Sequence, residues 1–129
     1  MTFLDSSAII DYLGGVEDVI DYLDGREPFF TSTLCVYEVI DGKLGSGATD
    51  VRDVRGDFGG VQALDLTEGI ALEAARLQDQ TMSDGVRLST PDALIAATAR
   101  STGDELVVSD GDFQTDVLES SLTVTNLRK

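Results

Sequence analysis

Leu106-Val107-Val108-Ser109-Asp110 is the stretch from which the rest of the chain can be read. Its three apolar residues leave no polar face, the pattern of a parallel strand covered by helices on both sides. The preceding segment opens with Thr90-Pro91-Asp92, where Thr90 suits an N-cap and Pro91 the first helical position. From there to Ala99 it is apolar nearly all round, which predicts a buried helix. The N-terminus has a similar grammar. Thr2-Phe3-Leu4 reads as a short strand, Asp5 follows it, and Ser6 to Leu13 reads as a helix with Ser6 or Ser7 available as its N-cap. Two separate strands therefore each end on a carboxylate.

Working outward, Val16, Val19, Ile20 and Leu23 recur at i, i+3, i+4 and i+7 and predict a helix over 16–23. Pro28 to Ser32 reads as a strand. Leu34 to about Leu44 reads as a helix with Val36, Val39 and Ile40 on one side and Glu38 off that stripe. A short exposed helix is expected between Asp50 and Gly60, a strand over Val61–Leu66, and an amphipathic helix over Thr67–Met82. A helical turn at Thr115–Leu118 and a strand over Leu122–Thr125 complete the chain. Ile9, Ile10, Leu94 and Ile95 are assigned to the core. Strands alternating with helices predict a three-layer α/β/α sandwich around a mainly parallel sheet, as one domain over residues 1–129. In such folds ligands bind outside the carboxyl ends of the strands, where Asp5 and Asp110 are expected.

Composition narrows the chemistry. The 129 residues include no His and one Cys, Cys35. A Ser-His-Asp triad, a Cys–His pair and a His-containing zinc site are all excluded. Cys35 lies in the apolar run Leu34-Cys35-Val36-Tyr37 and reads as a small buried hydrophobe. No apolar run approaches the ~20 residues that span a bilayer, and Met1 to Asp5 lacks signal-peptide character. A cytoplasmic protein without membrane association is expected.

The net charge of −15 arises from 24 acidic against 9 basic residues and is spread along the chain. Asp outnumbers Glu and only two lysines are present, Lys43 and Lys129. A diffuse acidic surface suits molar salt, where the Debye length is about 3 Å and self-repulsion is screened. It reads as adaptation to a halophilic, archaeal-type cytoplasm. The same charge opposes nucleic-acid binding at ordinary salt, because affinity there comes from Lys and Arg on phosphates. Any argument for an RNA substrate must come from the site.

Asp5, Glu38, Asp92 and Asp110 are the candidate site. Converging, they would offer hard oxygen ligands to Mg²⁺ or Mn²⁺. Such a cluster cannot stay fully ionised without a cation, because like charges raise one another's pKa. A divalent ion activates water and polarises a phosphoryl oxygen, while a carboxylate orients the attacking water. Taken singly, Asp5 also reads as an N-cap, Asp92 as a first-turn acid favoured by the helix dipole, and Glu38 as a solvated helix face.

Four segments carry a resemblance. They are Phe3-Leu4-Asp5-Ser6-Ser7-Ala8-Ile9-Ile10, Tyr37-Glu38-Val39-Ile40-Asp41-Gly42, Pro91-Asp92-Ala93-Leu94-Ile95-Ala96-Ala97-Thr98-Ala99 and Leu106-Val107-Val108-Ser109-Asp110-Gly111-Asp112-Phe113. In this order and spacing the chain resembles PIN-domain ribonucleases, particularly VapC toxins of toxin–antitoxin pairs. The resemblance implies that Asp5, Glu38, Asp92 and Asp110 form the acidic centre and hold one or two Mg²⁺ or Mn²⁺. It implies that Asp112 helps hold a second ion, and that Ser6 and Ser109 hydrogen-bond the carboxylates or metal waters. It further implies an RNA substrate, a cognate antitoxin covering the site, and a homodimer. Apolar residues around Val16, Val19, Leu23 and Tyr37 fit either a dimer or antitoxin groove or ordinary core packing. Lys43, Arg52 and Arg55 are the basic group nearest the motifs.

Two other readings compete, a non-catalytic binding module on the same fold and a housekeeping RNA-processing nuclease. Phosphotransfer folds fit less well. Asp5-Ser6-Ser7 lacks the Asp-x-Asp of haloacid-dehalogenase phosphatases, and no late lysine suits a receiver domain.

Overall fold

A computed structural model describes residues 1–128. Five strands form one sheet in the order β3-β2-β1-β4-β5, where β1 is Thr2–Leu4, β2 Phe29–Ser32, β3 Val61–Leu64, β4 Glu105–Val108 and β5 Val124–Asn126. Every pairing is parallel. The helices are α1 (Ser6–Leu13), α2 (Glu17–Leu23), α3 (Thr33–Asp41), α4 (Val51–Gly56), α5 (Glu68–Ser83), α6 (Thr90–Thr102) and α7 (Thr115–Leu118).

The period of two along each strand explains the layers. Phe3, Leu106 and Val108 point into one core with Leu77 of α5 and Ile95, Ala96 and Ala99 of α6. Leu4 and Val107 point the other way, into a second core with Ile9 of α1, Val19 and Leu23 of α2, and Val61. Helix α3 joins the two, with Cys35 in the first core and Val39 in the second. The expected α/β/α sandwich is thus observed, and its sheet is wholly parallel.

Several expected boundaries move, for local reasons. Asp5, not Ser6 or Ser7, caps α1, its carboxylate accepting the Ala8 N–H. Ser89, not Thr90, caps α6 by accepting the Asp92 N–H, so Pro91 stands at the second helical position. Helix α3 ends at Asp41 instead of running to Leu44, because turn bonds from Lys43 and Leu44 to Ile40 and Asp41 close it. Helix α4 ends at Gly56 before reaching Gly60. Strand β5 lies two residues beyond the expected start, because Leu122 packs against the first core.

One burial assignment is corrected and one open alternative is resolved. Ile10 is 48% exposed, since its neighbour Ile9 takes the inward face of α1. Val19 and Leu23 are each only 1% exposed, so they are core and not groove, whereas Val16 and Tyr37 are exposed.

Phe3 is fully buried in the middle strand of the sheet. Phe3→Ala is expected to destabilise the fold by about 3–5 kcal/mol, mostly through the cavity it leaves. Equilibrium denaturant unfolding measures this, and a loss under about 1 kcal/mol would contradict the packing described.

Candidate active site

The strand order places the site. From β1 the chain builds outward through β2 and β3, then crosses back to lay β4 and β5 on the other side of β1. The crevice between β1 and β4 is therefore a topological switch point, where open parallel sheets bind ligands beyond their carboxyl ends. Asp5 follows β1 and Asp110 follows Ser109 at the end of β4, in adjacent paired strands.

Asp5 is almost completely buried, at 5% exposure. Its N–H donates to the Val107 carbonyl at 3.2 Å, which pins its backbone to β4. Its carboxylate accepts the Ala8 N–H at 3.0 Å and the Ser7 hydroxyl at 2.7 and 2.9 Å. Burial nevertheless pushes its pKa from 3.8 to about 7, against those two hydrogen bonds, with Asp110 and Asp92 adding to the rise. Asp92 sits in the first turn of α6, half-buried, and its pKa is raised by burial and by Asp110. Glu38, half-buried on α3, is raised by burial and then by Asp92 and Asp41. These electrostatic couplings tie all four sequence-derived carboxylates into one group: Asp5 to Asp92 and Asp110, Asp92 to Asp110, and Glu38 to Asp92.

The group is not a finished metal cage. Among the described residues no three acidic side chains are drawn up around one point. One atom does ask for a partner: Glu38 Oε1 is buried and makes no hydrogen bond. A buried unpartnered carboxylate oxygen costs free energy unless something completes it.

The serines divide differently from expectation. Ser6 acts on Glu38, its hydroxyl offsetting part of the pKa rise. The Ser109 hydroxyl donates to Asp11 Oδ2 at 2.5 Å, outside the four-acid group, and its N–H donates to Ser7 Oγ at 2.9 Å. Ser7 is the residue the sequence reading missed. It donates to Asp5 and accepts from Ser109, bridging the ends of β1 and β4 with one hydroxyl. The signal was present in its position two residues after Asp5, but it was read only as a possible cap. Asp11 was missed too, and it holds both Ser109 and Arg128, the latter at 2.8 Å.

Asp112 lies on an exposed turn, and it contacts Asp110 through its backbone N–H, at 2.9 Å, not through its carboxylate. Cys35 lies beneath the site. Burial drives its thiol up to about 12, with Asp5 and Glu38 contributing, so it is inert as a nucleophile. Of the nearby basic residues, Arg55 is committed to the carbonyls of Phe58 and Val61 and stacks on the Phe58 ring. Lys43 and Arg52 are exposed.

The chain belongs to the PIN domain family, whose sequence profile matches residues 2–115. Solved structures agree on the fold. A toxin–antitoxin complex from Klebsiella pneumoniae superposes with a TM-score of 0.78 at 20% identity, covering 100% of this chain and 99% of that one. VapBC-5 of Mycobacterium tuberculosis, described as a member of the VapBC family of toxin–antitoxin systems, gives 0.67 at 25% identity over 99% and 98% of the two chains. VapC20 of the same organism, described as a sarcin-ricin-loop-cleaving toxin, gives 0.64 at 20% identity over 90% and 95%. No curated protein sequence matches the chain. Among the described residues no helix is long and apolar enough to cross a membrane.

The raised pKa of Asp5 has a direct consequence for stability. Between about pH 4 and pH 7 the folded chain holds a proton there that the unfolded chain has released, so stability falls as pH rises through that window. Glu38 and Asp92 act in the same direction. In metal-free protein with EDTA, Asp5→Asn is expected to flatten this fall and to exceed wild type in stability at pH 8, by at most ~4 kcal/mol. Thermal unfolding across pH checks this, and a variant less stable than wild type at pH 8 would contradict it.

Proposed function

We propose that this protein is a metal-dependent endoribonuclease that hydrolyses RNA phosphodiester bonds, and that it is the toxin of a VapBC-type pair. The observation that carries the reading is the coupled group of Asp5, Glu38, Asp92 and Asp110. Four carboxylates from separate elements lie within electrostatic reach of one another near the switch point of a parallel sheet, and burial pushes Asp5, Glu38 and Asp92 toward neutrality. A structure that gathers such groups without a basic partner among them is suited to a divalent cation.

The donor set fits Mg²⁺ or Mn²⁺. All its atoms are hard oxygens, and Glu38 Oε1 lacks a partner. Asp5, Asp92 and Asp110 are the residues assigned to hold it, with Asp112 as an outer contributor. When bound, such a cation supplies Lewis acidity toward the phosphoryl oxygen and lowers the pKa of water. Ser7 and the Ala8 N–H hold the Asp5 carboxylate in one orientation, and Ser6 offsets part of the pKa rise of Glu38, which is assigned to orient the attacking water. Ser109 fixes the β4 end through Ser7 and Asp11. The side chains must close in around the cation, since they are not drawn up around one point beforehand.

The family and its toxin–antitoxin neighbours support an antitoxin as partner. A suitable surface lies beside α1 and α2. A cavity of about 370 Å³ is lined by Leu4, Ile9, Leu23, Phe29, Phe58 and Val61, with Glu27 and Asp57 among its walls. Tyr12, Leu13, Val16 and Ile20 leave apolar surface exposed on the same two helices and their connection. An apolar antitoxin segment carrying Arg or Lys would complement it. A homodimer is assigned to the remaining apolar exposure.

The test is cleavage of total cellular RNA at molar KCl with Mn²⁺ or Mg²⁺. Discrete fragments are expected. They should vanish with EDTA, and Asp5→Asn or Asp92→Asn should lower the rate by about a hundredfold or more. Intact RNA from folded, antitoxin-free protein, across several RNAs and both metals, would overturn the nuclease reading in favour of a non-catalytic binding module.

A further inference from the structure

Asp110 has the weakest intrinsic support of the four acids. It is exposed, it follows the last residues of β4, and Gly111 comes next. Its carboxylate is turned by the Asp112 N–H, which donates to Oδ1. Its backbone is held by a side chain from elsewhere in the chain. Asn126, the last residue of β5, accepts the Asp110 N–H through Oδ1 at 3.4 Å and donates from Nδ2 to the Asp110 carbonyl at 2.7 Å. One amide thus contacts both polar backbone groups of the acid-bearing residue.

Its neighbours fix the orientation of that amide. Oδ1 also accepts the Arg128 N–H at 3.0 Å, and Nδ2 lies 3.5 Å from Thr115 Oγ1. The opposite flip would set an NH₂ group against two backbone N–H donors. Asn126 is itself held in register, since it pairs with Val108 and the next residue, Leu127, donates to the Val108 carbonyl. The two segments therefore share a fixed frame. Strand β5 also lies beyond residue 115, where the family profile ends, so nothing in the family match assigns it a part in the site.

We propose that Asn126 is a positioning residue that acts through Asp110, and that β5 completes the acidic centre by supplying it. The inference rests on the reading of that centre as a cation site. Both backbone bonds fix the direction of the Asp110 Cα–Cβ bond, so losing them lets the carboxylate swing out of the group. Partners of this outer kind are typically worth 10–100-fold in metal affinity.

The experiment is isothermal titration of Mn²⁺ into the whole, metal-free protein at molar KCl, with thermal unfolding of each variant alongside. Asn126→Ala is expected to bind Mn²⁺ about tenfold more weakly. In an Asp110→Asn background the same substitution should add no further loss, which is the signature of action through Asp110. Thr125→Val serves as a control, because Thr125 bonds Glu105 and Tyr22 and loosens the same strand without touching Asp110; its affinity should match wild type. Unchanged affinity in Asn126→Ala, an equal loss in Thr125→Val, or an additive loss in the Asp110→Asn background would each overturn the positioning role. If Asn126→Ala does not fold, Asn126→Ser carries the test, with an intermediate loss expected and no loss overturning it. A wild type that binds no Mn²⁺ overturns the cation-site reading and this role together, whereas normal wild-type binding with an unaffected Asn126→Ala overturns this role alone.

Discussion

The carboxylate of Asp5 is the constraint around which the rest is organised. A nearly water-free carboxylate costs several kcal/mol unless the protein compensates it. Here the compensation is local and short in sequence: the Ala8 N–H from the first turn of α1 and the hydroxyl of Ser7. It falls short of full stabilisation, as the shift toward neutrality shows. The chain thus keeps an acid at the carboxyl end of its central strand at a cost to its own stability, with two more raised acids beside it. Such an arrangement is typical of functional sites, where perturbed titration clusters.

The sheet makes this possible. Because the strands are parallel and the order reverses at β1, the ends of β1 and β4 open side by side while their helices leave in different directions. Alternation of side chains sends Phe3 and Leu106 into one core and Leu4 and Val107 into the other. Both strand ends are therefore anchored by packing on two faces, which gives the loops that follow a rigid base. The cross-links between those loops are polar: Ser7 to Ser109, Ser109 to Asp11, and Asp11 to Arg128.

Surface charge and site charge belong to different problems. Most of the acidic residues are exposed, and at molar salt they repel one another little. Asp5, Glu38 and Asp92 are partly or almost wholly removed from water, where screening is weak. The surface offers few free cations, since Arg55 is spent on its own chain and Arg128 on Asp11.

How much was legible follows from the range of each interaction. The parallel sandwich, the placement of Asp5 and Asp110 at strand ends, the buried helix behind Asp92 and the inertness of Cys35 could all be read from local pattern, because strand and helix periodicities record which face is covered. Cap identities were blurred, as at Ser89 against Thr90, because adjacent Ser and Thr offer the same hydrogen bond. Ile10 was misassigned to the core, and Val19 and Leu23 stayed open between core and groove, because a stripe shows that a helix has an apolar face but not what covers it. Ser7 as a bridge, Asp11 as the holder of Ser109, and the grip of Asn126 on Asp110 join residues between 16 and 102 positions apart. Sequence by itself determined which elements form and which acids end them, since those depend on neighbours along the chain. Only the tertiary structure decided which acids share one electrostatic group and which polar side chains hold them, because those contacts exist only once the strands are paired.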